Sequence, residues 1–195
     1  MMNSSSEHNS EHKVALFLAD GCETIEALTV ADILFHAGIP CTKVSVSATP
    51  VVVSSHKVTM IADTTVDHLA FDDYDMLVLP GGVPGTPNLK ACGTLMEQVV
   101  RFHREGRMVA AICAAPSILA ELGLLKGVRA ACNPTVEQIL IDNGADLVRE
   151  NAVTAGNIIT SRAMGTAIPF ALAIVEHFKG REAADALGRT ILYYQ

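Results

Sequence analysis

The sequence contains no Cys-x-x-Cys pair, no apolar run of the roughly 18 residues that a membrane helix needs, and no surplus of positive charge. Each absence excludes a class. The five cysteines (Cys22, Cys41, Cys92, Cys113 and Cys132) are scattered and odd in number, unlike a disulfide framework or a structural zinc site. A formal net charge of −7 leaves no basic face large enough for nucleic acid or an anionic membrane as the main partner. The opening MMNSSSEHNSEH lacks the apolar stretch of a signal peptide. Residues 1–12 are therefore expected to form a disordered tail, and the cytoplasm, where thiols stay reduced, is the expected location. There are no internal repeats.

What is present is apolar material. Half of the 195 residues are hydrophobic and 18% are charged, which suits one domain over residues 13–195. Short apolar runs alternate with helical segments. Residues 14–19 (VALFLA), 75–79 (DMLVL) and 107–112 (RMVAAI) read as parallel strands buried on both faces. Residues 42–48 read as a further strand, and 50–62 as a hairpin or edge excursion. Helices are expected at 23–37, 91–105, 114–122, 134–142 and 165–178, with strands near 128–132, 146–149 and 152–160. This alternation predicts an α/β fold, a doubly wound, mostly parallel sheet with helices on both faces.

In such sheets ligands bind beyond the carboxyl ends of the strands. Three segments bring unusual residues to that edge: Asp20–Glu26, Pro80–Gly85 and Cys113–Pro116. Cys113 follows a strand directly, and Ala111 and Ala115 flank it two positions away, as the crowded turn of a nucleophile elbow requires. A helix N-terminus after the cysteine would favour its thiolate. A buried cysteine serving as a small hydrophobe fits the same features. Gly81 and Gly82 could let backbone N–H groups approach a reacting atom, or could make a simple turn. No Lys-Ser/Thr follows them and no G-x-G-x-x-G spacing occurs, so this is not a phosphate loop. Glu23 and Glu26 open the first helix, where acidic residues also occur for dipole reasons alone. The position of Glu26 beside Ile25 and Leu28 turns it partly inward.

A histidine base is missing. A cysteine hydrolase needs one within hydrogen-bond reach. His103 precedes the strand that ends at Cys113, His177 lies deep in the last predicted helix, His36 ends its helix and His68 precedes a strand. Only His56, on the excursion, could reach a site, there or in a partner subunit. A Cys–His triad within one chain is not expected.

The stretches ADGCETIEAL, DMLVLPGGVPGTPNL, VAAICAAPSILAELGLLKG and ITSRAMGTAIPFALAIVEHFKG together resemble the ThiJ/PfpI superfamily. The likeness covers residues 13–190 and is nearest to the branch of the human parkinsonism-associated protein and its bacterial homologues. It implies a flavodoxin-like sandwich, a homodimer, no cofactor and no metal. Carried onto this sequence, it makes Cys113 the nucleophilic, oxidation-prone cysteine and Glu26 the carboxyl group on its sulfur. Gly81 and Gly82 become the backbone-donor loop, with the N–H of Ala114 as a further donor. The intracellular-protease branch has His where Ala114 stands, so peptidase activity is not expected. Some members have His before a proline where this chain has Asn133-Pro134; Cys132 is the neighbouring alternative. Glu23, Cys132, Asn133, Gly165 and Thr166 are the further candidates for substrate or supporting contacts. The implied functions are glutathione-independent glyoxalase or deglycase-like processing of small aldehydes, a redox sensor, or a stress chaperone.

Overall fold

The computed structural model describes residues 12–194, so the expected tail lies outside the described residues except for His12, whose ring stacks on Phe178 with centroids 4.9 Å apart. The first strand, β1 (Val14–Leu18), has no exposed residue, as an unbroken apolar run dictates when both sheet faces are covered. Helix α1 (Thr24–His36) follows, with Ala27, Val30, Ile33 and Leu34 on its buried face. The chain then forms β2 (Cys41–Ser45), the antiparallel hairpin of β3 (Val51–Val53) and β4 (Thr59–Ile61), and the two-residue β5 (Thr64–Thr65). Next come β6 (Met76–Leu79), α2 (Gly85–Ala91), α3 (Gly93–Arg104), β7 (Met108–Ile112) and α4 (Pro116–Glu121). The remainder is β8 (Arg129–Ala130), α5 (Glu137–Asp142), β9 (Asp146–Leu147), β10 (Ala152–Ala155), β11 (Ile158–Ser161), α6 (Ala167–Lys179) and α7 (Arg181–Thr190).

The central sheet has the order β10-β11-β7-β6-β1-β2-β5, parallel except for β10. Strand order reverses between β1 and β6, so the loops after these two strands open a crevice at the carboxyl edge. Cys113 directly follows β7, which pairs with β6. Residues of α1 and α6 pack on one sheet face, and residues of α3, α4 and α5 pack on the other.

Several elements differ from the sequence-based expectation, among them α7 and the short β5, for which no element was expected. The turn-rich 80–85 stretch leads into α2, whose first turn accommodates Pro87 because N–H groups there lack intrahelical acceptors. Cys92 separates α2 from α3, where one helix was expected. The strand expected at 152–160 is two antiparallel strands turning at Gly156-Asn157, and Gly156 sits at φ 58°. The strand near 128–132 pairs with β9 in a separate two-stranded sheet. The β3–β4 hairpin lies against the loop after β1: Val53 N–H donates to Asp20 Oδ1 and Gly21 N–H to Val53 O, both at 2.8 Å.

Candidate active site

Cys113 has φ 66°, a left-handed conformation that disfavours every residue with a Cβ. Two backbone hydrogen bonds hold it there. Its N–H donates to Ser161 O at 3.0 Å, and its carbonyl accepts from Asn133 N–H at 2.8 Å. The fully buried Ala111 and Ala115 leave room for the reversal, and Pro116 opens α4. The thiol is partly exposed at the strand edge.

Facing it from α1 is Glu26, only 1% exposed. Its Oε2 accepts the Gly81 N–H at 2.9 Å, and the carboxyl group is hydrogen-bonded to Cys113. The two glycines therefore have separate tasks. Gly81 spends its N–H on Glu26, while the N–H groups of Gly82 and Ala114 are turned to the sulfur. Gly82 has no alternative residue: at φ 97°, a Cβ there would stand 2.4 Å from Glu23 N and 2.6 Å from Gly21 O.

Burial raises the Glu26 carboxyl group to about 7, against hydrogen bonds from Cys113 and Gly81 that favour its charge; the nearby Glu23 carboxylate adds to the rise. The depressed thiol expected from a helix N-terminus is not found. Burial and the Glu26 carboxylate push Cys113 up to about 12, outweighing the Ala114 and Gly82 N–H groups. Helix α4 begins three residues after the cysteine and is six residues long, so its dipole contributes little. The two acids work as one couple that releases a first proton near neutrality and retains the second.

The remaining candidates are placed as follows. Glu23 caps α1 and lies beside the hairpin tip, its Oε2 3.4 Å from His56 Nδ1. His56 thus meets the site loop of its own chain, and His177 packs edge-to-face with Phe178. Asn133 reaches the elbow through its backbone N–H, while its Oδ1 accepts from Thr135 N–H and Oγ1. Cys132 does not face the site. It is buried with residues of α3, α4 and α5 across the sheet from α1, because adjacent residues on extended chain point to opposite sides. Thr166 ties the turn after β11 through Ser161 Oγ at 2.7 Å, so it and the exposed Gly165 connect to Cys113 only by way of Ser161. Ser55 and Ser161 were missed by sequence reasoning. The part Ser161 plays is a backbone carbonyl, which no side-chain pattern reveals. Among the described residues, no group of three or more His, Cys, Asp or Glu side chains is arranged to hold a metal ion, and no helix is long and apolar enough to cross a membrane.

A parallel α/β sheet with a strained cysteine at its carboxyl edge, a buried carboxylic acid on the sulfur and two N–H donors defines an elbow-cysteine protein. The chain belongs to the DJ-1/PfpI family, whose profile matches residues 12–177. It is 35% identical over 180 residues to protein DJ-1 homolog A of Arabidopsis thaliana, covering 92% of this chain and 46% of that one; it thus spans about half the length of that relative. It is 30% identical to the glutathione-independent glyoxalase DJR-1.2 of Caenorhabditis elegans, over 90% of this chain and 94% of that one. The structure of oxidized Toxoplasma gondii DJ-1 superposes with a TM-score of 0.88 at 30% identity, covering 94% of this chain and all of that one.

Proposed function

We propose that the chain is a cysteine-dependent, cofactor-free enzyme acting on small 2-oxoaldehydes such as methylglyoxal. The observation that carries this reading is the buried Glu26 carboxyl group, hydrogen-bonded to Cys113 and raised to about 7, where it can accept and donate a proton at neutral pH. The likeness to a named glutathione-independent glyoxalase supports it.

In the proposed reaction the Cys113 thiolate adds to the aldehyde carbon while Glu26 holds the proton. The N–H groups of Gly82 and Ala114 stabilise the oxyanion. Glu26 gives its proton to that oxyanion, completing the hemithioacetal, and as the resulting carboxylate takes the proton from the former aldehyde carbon. It returns this proton to the neighbouring carbonyl carbon while the hydroxyl proton passes to the second oxygen, converting the hemithioacetal to a thioester. Water cleaves the thioester, releasing lactate and the thiol. Methylglyoxal plus water becomes lactate and one proton, with no external oxidant or thiol. Turnover of methylglyoxal by the purified chain without metal, nucleotide or glutathione tests the reading. Cys113→Ser and Glu26→Ala should each lose nearly all of the rate; unchanged turnover in either rejects the assigned roles.

A second reading rests on the same donors. A Cys113 sulfinate formed by peroxide would accept hydrogen bonds from Gly82, Ala114 and protonated Glu26, making the thiol a redox sensor. A stoichiometric response to peroxide with no steady-state turnover would favour it. In either case the working unit is proposed to be a homodimer, supported by the apolar side chains that α1 and the hairpin leave exposed: Ile25, Leu28, Phe35, Val51, Val53 and Ile61.

A further inference from the structure

The β3–β4 hairpin folds back so that Ser55 N–H donates to Cys22 O at 2.9 Å. This brings its tip to the carboxylate of Glu23, whose side chain is only 14% exposed. His56 Nδ1 stands 3.4 Å from Glu23 Oε2. Ser55 Oγ donates to that same oxygen at 3.5 Å and lies 3.1 Å from His56 Nδ1. These contacts converge on one ring nitrogen, so the cluster is not a relay that activates a serine. It is a chain of donors ending on a carboxylate.

Glu23 is in turn bound to the catalytic loop. Its backbone N–H donates to Gly81 O at 3.0 Å, the residue whose own N–H holds Glu26. The ionisable groups around it are Asp20 and Cys22 on the same loop, Glu26 from α1, and His56 with its neighbour Lys57 at the hairpin tip, and Cys113 is reached through Glu26. Another negative charge here opposes ionisation of the Cys113–Glu26 couple, and a hydrogen bond to Glu23 weakens that opposition.

We infer that His56 is a positioning residue for the couple's proton, acting through Glu23 and assisted by Ser55. The hairpin thereby sets the pH at which the elbow thiolate becomes available. This rests on Cys113 and Glu26 being the reacting pair, but not on the identity of the substrate.

The test is alkylation of Cys113 by iodoacetamide as a function of pH, followed by peptide mass spectrometry on the full chain. His56→Ala should raise the midpoint by about half a pH unit, the size expected of a charge a few ångströms away at a hydrated mouth. Ser55→Ala should move it the same way by less, and His56→Lys should keep it near the native value. Glu23→Gln should lower it. In the Glu23→Gln background, His56→Ala should have no further effect. No shift in the single His56 variant, or an equal shift with and without Glu23, would overturn the inference. Because alkylation needs no aldehyde turnover, a failed glyoxalase assay and a failed coupling remain distinct results.

Discussion

Gly81 is pressed against Cys113: a Cβ on Gly81 would stand 2.6 Å from the Cys113 Cβ and 2.8 Å from Glu26 Oε2. Neither neighbour is free to retreat, since the cysteine is clamped by two backbone bonds and the carboxyl group is buried. The absence of a side chain at this position is therefore what allows sulfur and acid to meet.

Gly81→Ala should abolish methylglyoxal turnover and lower stability, because the added methyl forces apart the groups it would overlap. Gly93→Ala is the contrast. That glycine starts α3 with nothing within 4 Å of an added Cβ, so turnover should stay native and stability should rise by up to about 1 kcal/mol. Melting temperatures of the two variants should move in opposite directions.

Glu26 also makes stability depend on pH. Its folded value of about 7 lies above the ordinary glutamate value of 4.5, so the folded state binds the proton more tightly. The resulting stabilisation is complete below the unfolded value and is lost as pH rises through about 7, a contribution of about 3 kcal/mol. Urea midpoints of the native chain should fall between pH 5 and 8, and Glu26→Gln should flatten that slope. Parallel slopes would show that Glu26 does not carry this proton.

Mild peroxide should modify Cys113 before the other thiols. Cys22 and Cys132 are buried, while Cys41 and Cys92 are partly exposed. Only Cys113 has the Gly82 and Ala114 N–H groups turned to its sulfur. Peptide mass spectrometry after a short exposure decides the order, and earlier oxidation of Cys41 or Cys92 would contradict it.

In sedimentation at micromolar concentration the chain should show about twice its 20.7 kDa mass. Phe35, 81% exposed on α1, is the most prominent apolar group of the proposed contact. Phe35→Asp should halve the sedimenting mass while leaving the far-ultraviolet circular dichroism unchanged.

The sheet was legible where burial is complete. The runs that became β1, β6 and β7 carry no polar residue in the strand, and the small residues around Cys113 announced a crowded turn. Helix α2 was hidden because Pro84, Gly85 and Pro87 look like loop chemistry until Thr86 N–H bonds back to Gly82 O, at 2.8 Å. The turn between β10 and β11 sits inside a β-branched stretch that reads as one strand. Glu26 could be placed by helical spacing, but the division of labour between Gly81 and Gly82 could not, since it depends on which peptide faces α1. That His56 could reach the site was legible from its place on the excursion, but its meeting with Glu23 was not. It arises from the hairpin folding back across 33 positions.

The left-handed backbone at Cys113 has one more consequence. An L-residue there costs on the order of 1–2 kcal/mol, which glycine would not incur. Cys113→Gly should therefore unfold at a higher temperature than Cys113→Ala, although both lack the sulfur. The most comfortable residue for this turn is one that can do no chemistry, so selecting variants for thermal tolerance alone would tend to delete the function.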